Sequence, residues 1–145
     1  MAVRVQREDF DLGAELAALR AGRTDIGALV SFTGVVRGSD VTAMELEHYP
    51  GMTERALTAI EADAHTRWPL QASLIIHRYG PLAPGTQIMM VATASAHRQA
   101  AFAAAEFLMD YLKSRAPFWK RETTAEGARW VDAREDDEAA LTRWG

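Results

Sequence analysis

The chain has 145 residues, is 48% hydrophobic and 25% charged, and carries a net charge of −4, the balance of one ordinary folded domain with a core of its own. That charge argues against wholesale electrostatic binding of nucleic acid, no apolar run approaches the ~20 residues that span a bilayer, and residues 1–10 hold no apolar signal core, so a cytoplasmic, non-membrane protein is expected. The absence of cysteine excludes disulfides, thiolate metal sites and a cysteine nucleophile or persulfide carrier.

The first element is a short helix over Asp11 to Arg20, with Leu12, Leu16 and Leu19 on one side and Gly22 to end it. Ile26 to Arg37 reads as a strand apolar on both faces, hence central. Thr42 to Tyr49 alternates, with Met44, Leu46 and His48 opposite Glu45 and Glu47. Pro50-Gly51 breaks it, Thr53 serves as an N-cap, and Leu57, Ile60 and Ala64 give a helical stripe that Pro69 stops. Leu74 to Tyr79 and Gln87 to Thr93 read as strands around a Pro/Gly loop. Ser95 is placed to cap a long helix to about Ser114. Pro117 ends it by pushing Ala116 out of helical geometry. Strands Phe118 to Glu122 and Arg129 to Ala133 follow around Gly127, then an acidic tail forms a short helix towards Trp144. Strands and helices mix without strict βαβ alternation, which predicts an α+β domain over residues 1–145.

Four features carry possible chemistry. Of the 16 basic residues only Lys113 and Lys120 are lysines. A GC-rich genome explains the arginine bias but not why the two exceptions lie so close. Lysine, unlike arginine, can lose its proton when buried and serve as acid or base. A helix end and the strand turning back from it can bring both ammonium groups to one pocket, where each depresses the other's pKa. His97 and Arg98 sit in the first turn of the long helix, a place whose free N–H groups and positive dipole end favour a phosphate. Solvated side chains are the competing reading. Arg37, where an apolar strand meets Gly38, and Arg134, after Trp130-Val131-Asp132-Ala133, are further anion-holding candidates, though taken alone an ordinary surface arginine is the simpler reading. His48 and His77 read as structural and His65 as surface. No histidine pair has a metal spacing and no phosphate-loop pattern occurs, so neither metal nor cofactor is expected.

Several stretches together resemble the molybdopterin synthase catalytic (large) subunit family. They are Ser31-Phe32-Thr33-Gly34-Val35-Val36-Arg37, Leu46-Glu47-His48-Tyr49-Pro50-Gly51-Met52, Ile76-His77-Arg78-Tyr79-Gly80 and Ser95-Ala96-His97-Arg98. The most specific is the sixteen-residue run from Phe107 to Glu122, with Arg115-Ala116-Pro117-Phe118-Trp119-Lys120 at its centre. The resemblance implies an α/β-hammerhead-like domain with a mixed sheet and two main helices. It implies a homodimer of this subunit, joined by a small ubiquitin-like sulfur carrier ending in a Gly-Gly thiocarboxylate. The implied reaction converts cyclic pyranopterin monophosphate to molybdopterin. On this chain, the essential lysines match Lys113 and Lys120, the anion-binding residues Arg37, His97 and Arg98, and an arginine contributed across the dimer Arg134. The link Gly38-Ser39-Asp40-Val41 is shorter than the resemblance leads one to expect. The alternative is a non-catalytic scaffold that binds a ubiquitin-like tail or a phosphorylated ligand in the same basic pocket.

Overall fold

The computed structural model describes residues 1–39, 41–131 and 135–144. Strands β1 (Ala2–Gln6), β2 (Ala28–Val35), β4 (Leu70–Arg78) and β6 (Gln87–Ser95) form one sheet in the order β1-β4-β6-β2. It is mixed, because β1 runs parallel to β4 while the other pairs are antiparallel. Strands β3 (Ala43–His48), β5 (Gly80–Leu82), β7 (Phe118–Thr124) and β8 (Gly127–Val131) form a second, antiparallel sheet in the order β5-β3-β7-β8.

Both faces of the inner strands β4 and β6 are covered, which is why those two are apolar on both sides; β2, expected to be central, is instead an edge strand, with Phe32 and Val35 exposed. Helices α2 (Met52–Arg67) and α3 (Arg98–Ser114) pack on one face, where Ile75, Met89 and Val91 meet Leu57, Ala64, Phe107, Leu108 and Leu112. The alternate residues Leu74, Ile76, Met90 and Ala92 face α1 (Leu12–Arg20) and pack with Phe10, Leu12, Leu16 and Leu19. Helix α3 presents Ala101, Ala104 and Ala105 inward; such small side chains permit close approach, and the Thr93 hydroxyl donates to the Ala101 carbonyl at 2.6 Å. A third cluster, Val36, Met44, Leu46 and Leu82, lies under the second sheet.

The expected α+β class, mixed sheet and two main helices are therefore present. Two strands escape the sequence reading. Strand β1 lies in the segment read only for its lack of a signal core, and β5 lies in the Pro/Gly loop. Two caps also differ. Gly51, at φ 82°, is the N-cap of α2, a left-handed backbone that suits glycine, and its N–H donates to Glu54 Oε1 at 3.0 Å. Thr53 is buried, its hydroxyl donating to the Tyr49 carbonyl at 2.8 Å. Ser95 is the buried end of β6, donating to the Pro69 carbonyl at 2.9 Å, and His97 occupies the N-cap of α3. The tail forms α4 (Glu135–Ala140) and a 3-10 turn over Leu141–Trp144. Trp144 closes on Trp68 and Phe107, each ring centroid 5.5 Å away, and its indole N–H donates to Asp110 at 2.6 Å. No helix among the described residues is long and apolar enough to cross a membrane.

Candidate active site

The C-terminal end of α3, the edge strand β2 and the β7–β8 hairpin enclose a cleft of about 730 Å³. Three different elements deliver its basic groups. Arg37 follows the end of β2, where the Val36 N–H donates to Thr86 and the Gly85 N–H donates to Val36 at 2.9 and 2.8 Å. Those two bonds tie the root of Arg37 to the 83–86 turn. Lys113 comes from the last turn of α3, where a cation also meets the negative end of the helix dipole. Lys120 comes from β7, placed by antiparallel pairing with Leu46 on one side and Val131 on the other. Lys113 and Lys120 thus reach one cleft from a helix end and from the strand that turns back from it.

The remaining lining divides into an apolar and a polar sector. Phe32, Met89, Met109 and Leu112 supply apolar surface, suited to a flat ring system. Glu122, the one acid among the described lining residues, holds Lys120 with Oε1 3.5 Å from Nζ. His77 is 9% exposed at the cleft wall, stacked on Phe118 with centroids 3.8 Å apart. Its Nδ1 is 2.8 Å from the Arg78 carbonyl, which can only accept, so Nδ1 carries the proton and Nε2 is left as an acceptor. Burial pushes the imidazole down to about 4, with the Lys113 charge a lesser cause in the same direction. His77 is neutral at neutral pH.

His97 and Arg98 are not part of this cleft. They stand at the other end of α3, about 22 Å from Lys113 at 1.5 Å rise per residue. His97 lines a separate cavity of about 460 Å³ with Trp68, Pro69, Gln71 and Ala103. Arg134 lies outside the described residues. Two cleft residues were not singled out in the sequence. Arg129 lines the cleft from β8, directly across from Glu122. Its alternation with Val131 on a strand paired to the Lys120 strand was the available signal. His77 was read only as structural; it does serve the wall, but it also faces the basic groups. His65, expected at the surface, is half-buried and bonded through Nε2 to Ser73 Oγ at 2.7 Å, which in turn donates to the buried Glu61. No cluster of three metal-ligating side chains occurs among the described residues.

Comparison with known proteins adds the family. The model of the MoaE protein family matches residues 5–115. The molybdopterin synthase catalytic subunit of Ralstonia nicotianae is 65% identical over 147 residues, covering 99% of this chain and 84% of that protein. Among solved structures, the molybdopterin biosynthesis MoaE protein of Burkholderia ambifaria superposes with a TM-score of 0.86 at 59% identity, over 100% of this chain and 99% of that one. The molybdopterin synthase of Staphylococcus aureus gives 0.81 at 28% identity, over 89% and 96%. With the family model spanning most of its length and relatives this similar matched almost end to end, the chain belongs to the MoaE protein family, that of the molybdopterin synthase catalytic subunit.

Proposed function

We propose that this chain is a sulfurtransferase that converts cyclic pyranopterin monophosphate to molybdopterin, taking sulfur from the C-terminal thiocarboxylate of a small ubiquitin-like partner. The observation that carries the reading is the convergence of the chain's two lysines, with Arg37, on one half-apolar cleft. Such a cleft accepts a flat, phosphorylated ring, because its apolar sector stacks the ring while its cations hold the phosphate. A chain without cysteine needs an external sulfur donor, and the word "subunit" in the names of its relatives favours a partner that supplies it. We place the reaction in the cytoplasm.

In the mechanism we favour, Arg37 holds the phosphate while the thiocarboxylate sulfur attacks a substrate carbon and displaces a carbon-bound oxygen. Water then hydrolyses the resulting thioester, leaving the sulfur on the pterin and the tail as a carboxylate, and a second loaded tail repeats the step to complete the dithiolene. Lys113 stabilises or protonates the oxygen on which charge develops, and Lys120, released from Glu122, assists proton transfer or steers the tail carboxylate. His97, Arg98 and Arg134 belong to the same substrate site. Since His97 and Arg98 lie a helix length from Lys113, we assign them to the cleft of a second copy, in a homodimer whose sites are each built from two chains.

The test is reconstitution of wild type and Lys113→Ala with loaded partner and cyclic pyranopterin monophosphate, with dithiolene formation as the readout. Product from wild type and almost none from the variant is expected. Full activity in Lys113→Arg and Lys120→Arg would refute the acid–base role. A folded wild type that binds the loaded partner and makes no product would leave a binding scaffold instead. Mixing Lys113→Ala with Arg98→Ala should restore part of the activity, because a mixed dimer has one intact site; no recovery would refute the shared site.

A further inference from the structure

The β7–β8 hairpin carries two arginines on opposite faces, and their surroundings differ. Arg121 points away from the cleft, 3.5 Å from Glu45 and over the Trp130 ring at 5.8 Å. Arg129 points into it, on the face shared by Lys120, Glu122 and Val131. A cross-strand pair with Glu122 is the expected fate of Arg129, since the two residues are in register. The structure gives Glu122 to Lys120 instead, at 3.5 Å. Among the described residues the Arg129 side chain has neither an ion pair nor a hydrogen bond. The described lining therefore holds four cations, Arg37, Lys113, Lys120 and Arg129, against the single carboxylate of Glu122. Arg37 and Arg129 stand on different walls, one after β2 and one on β8. A guanidinium presents a planar fork that matches two oxygens of one anion, which an ammonium cannot imitate.

We propose that Arg129 is a second anion-gripping residue of the cleft, binding a two-oxygen group, phosphate or terminal carboxylate, on a ligand that Arg37 alone does not neutralise. This rests on the reading of the cleft given above, in which two anionic ligands meet there. The pterin phosphate and the partner's terminal carboxyl group share the chemistry, and separate binding measurements distinguish them.

The experiment is calorimetric titration of wild type, Arg129→Ala, Arg129→Lys and Arg121→Ala. One probe is cyclic pyranopterin monophosphate. The other is the partner chain in its carboxylate form, compared with the same chain lacking its last two residues. Arg129→Ala should weaken binding of one probe at least about tenfold, the scale of a charge-assisted pair. Arg129→Lys should recover only part of the loss and Arg121→Ala should match wild type. If the partner is the source, truncation of its tail should abolish the difference between wild type and Arg129→Ala. Wild-type affinity of Arg129→Ala for both probes overturns the proposal. So does an equal loss in Arg121→Ala, which would trace the effect to the hairpin or to net charge. If wild type binds neither probe, the reading of the cleft itself fails, and this inference with it.

Discussion

Acidification offers a direct test of the cleft's electrostatics through His77. Its folded pKa is depressed to about 4, against about 6.5 for an unperturbed histidine. The unfolded chain therefore binds a proton that the folded one refuses, and stability falls as pH drops from about 6.5 towards 4. A shift of this size corresponds to about 3 kcal/mol in full, of which about 2 kcal/mol is lost by pH 5. Lys113 and His48 are the charged or titratable groups that add to the depression, and the Arg78 carbonyl opposes it. His77→Phe keeps a ring against Phe118 and removes the titration. It also strands the Arg78 carbonyl, a cost of about 1–3 kcal/mol that does not depend on pH. Urea unfolding at pH 7 and pH 5 should show a smaller loss in His77→Phe than in wild type, the difference approaching 2 kcal/mol. Glu61 and the other three histidines are common to both proteins, so the difference between them isolates the His77 imidazole. A midpoint between 6 and 7 for the His77 ring protons in an NMR titration, or equal pH slopes in the two proteins, would refute the burial argument.

Three further perturbations probe the scaffold. The buried Glu61 has its pKa raised, chiefly by burial, while accepting from Ser73 and the Ala2 N–H at 2.5 and 3.1 Å; stability linked to it is present at low pH and lost as pH rises through the folded pKa. Glu61→Gln should then raise the melting temperature at pH 8 more than at pH 4, whereas Glu61→Leu, which leaves both donors unsatisfied, should lower it at either pH. A Cβ at Gly27 would collide with the Ala96 carbonyl oxygen, so Gly27→Ala should destabilise by about 1–3 kcal/mol in chemical denaturation even though its φ is ordinary. Trp144→Ala removes both edge-on ring contacts and the bond to Asp110; a loss near the lower end of the about 3–5 kcal/mol range for large aromatics is expected, with faster proteolysis after Arg143.

What the sequence shows of this fold follows from where periodicity is strong. Helix α3 and the pair β4–β6 are legible because one buries a continuous stripe and the others are apolar on both faces. Strand β1 is not, because Arg4 and Gln6 alternate with Val3 and Val5 at the sheet's edge, and five residues make a weak signal. Strand β5 begins at Gly80-Pro81, where turn chemistry outweighs three residues of pairing. The cap of α3 lies at His97, two residues beyond Ser95, because the hydroxyl of Ser95, a good capping residue, is consumed by Pro69; only tertiary contact decides between those uses.

The site divides along the same line. The convergence of Lys113 and Lys120 on one cleft is legible because a helix end, a Pro117 break and a returning strand constrain seven residues tightly. The place of Arg129 in the cleft is not, because it depends on the register that sets it opposite Glu122, whose carboxylate lies by Lys120. His97 and Arg98 expose a different limit. Local chemistry marks them as anion-holding, but α3 is a rigid spacer, and fifteen residues of it hold them about 22 Å from Lys113. No side chain spans that distance, so one copy cannot unite the two halves of the site. If His97 and Arg98 serve the same substrate as Lys113 and Lys120, the helix that separates them within a chain makes a second chain a requirement of catalysis, and dilution to the monomer should abolish activity while leaving the fold intact.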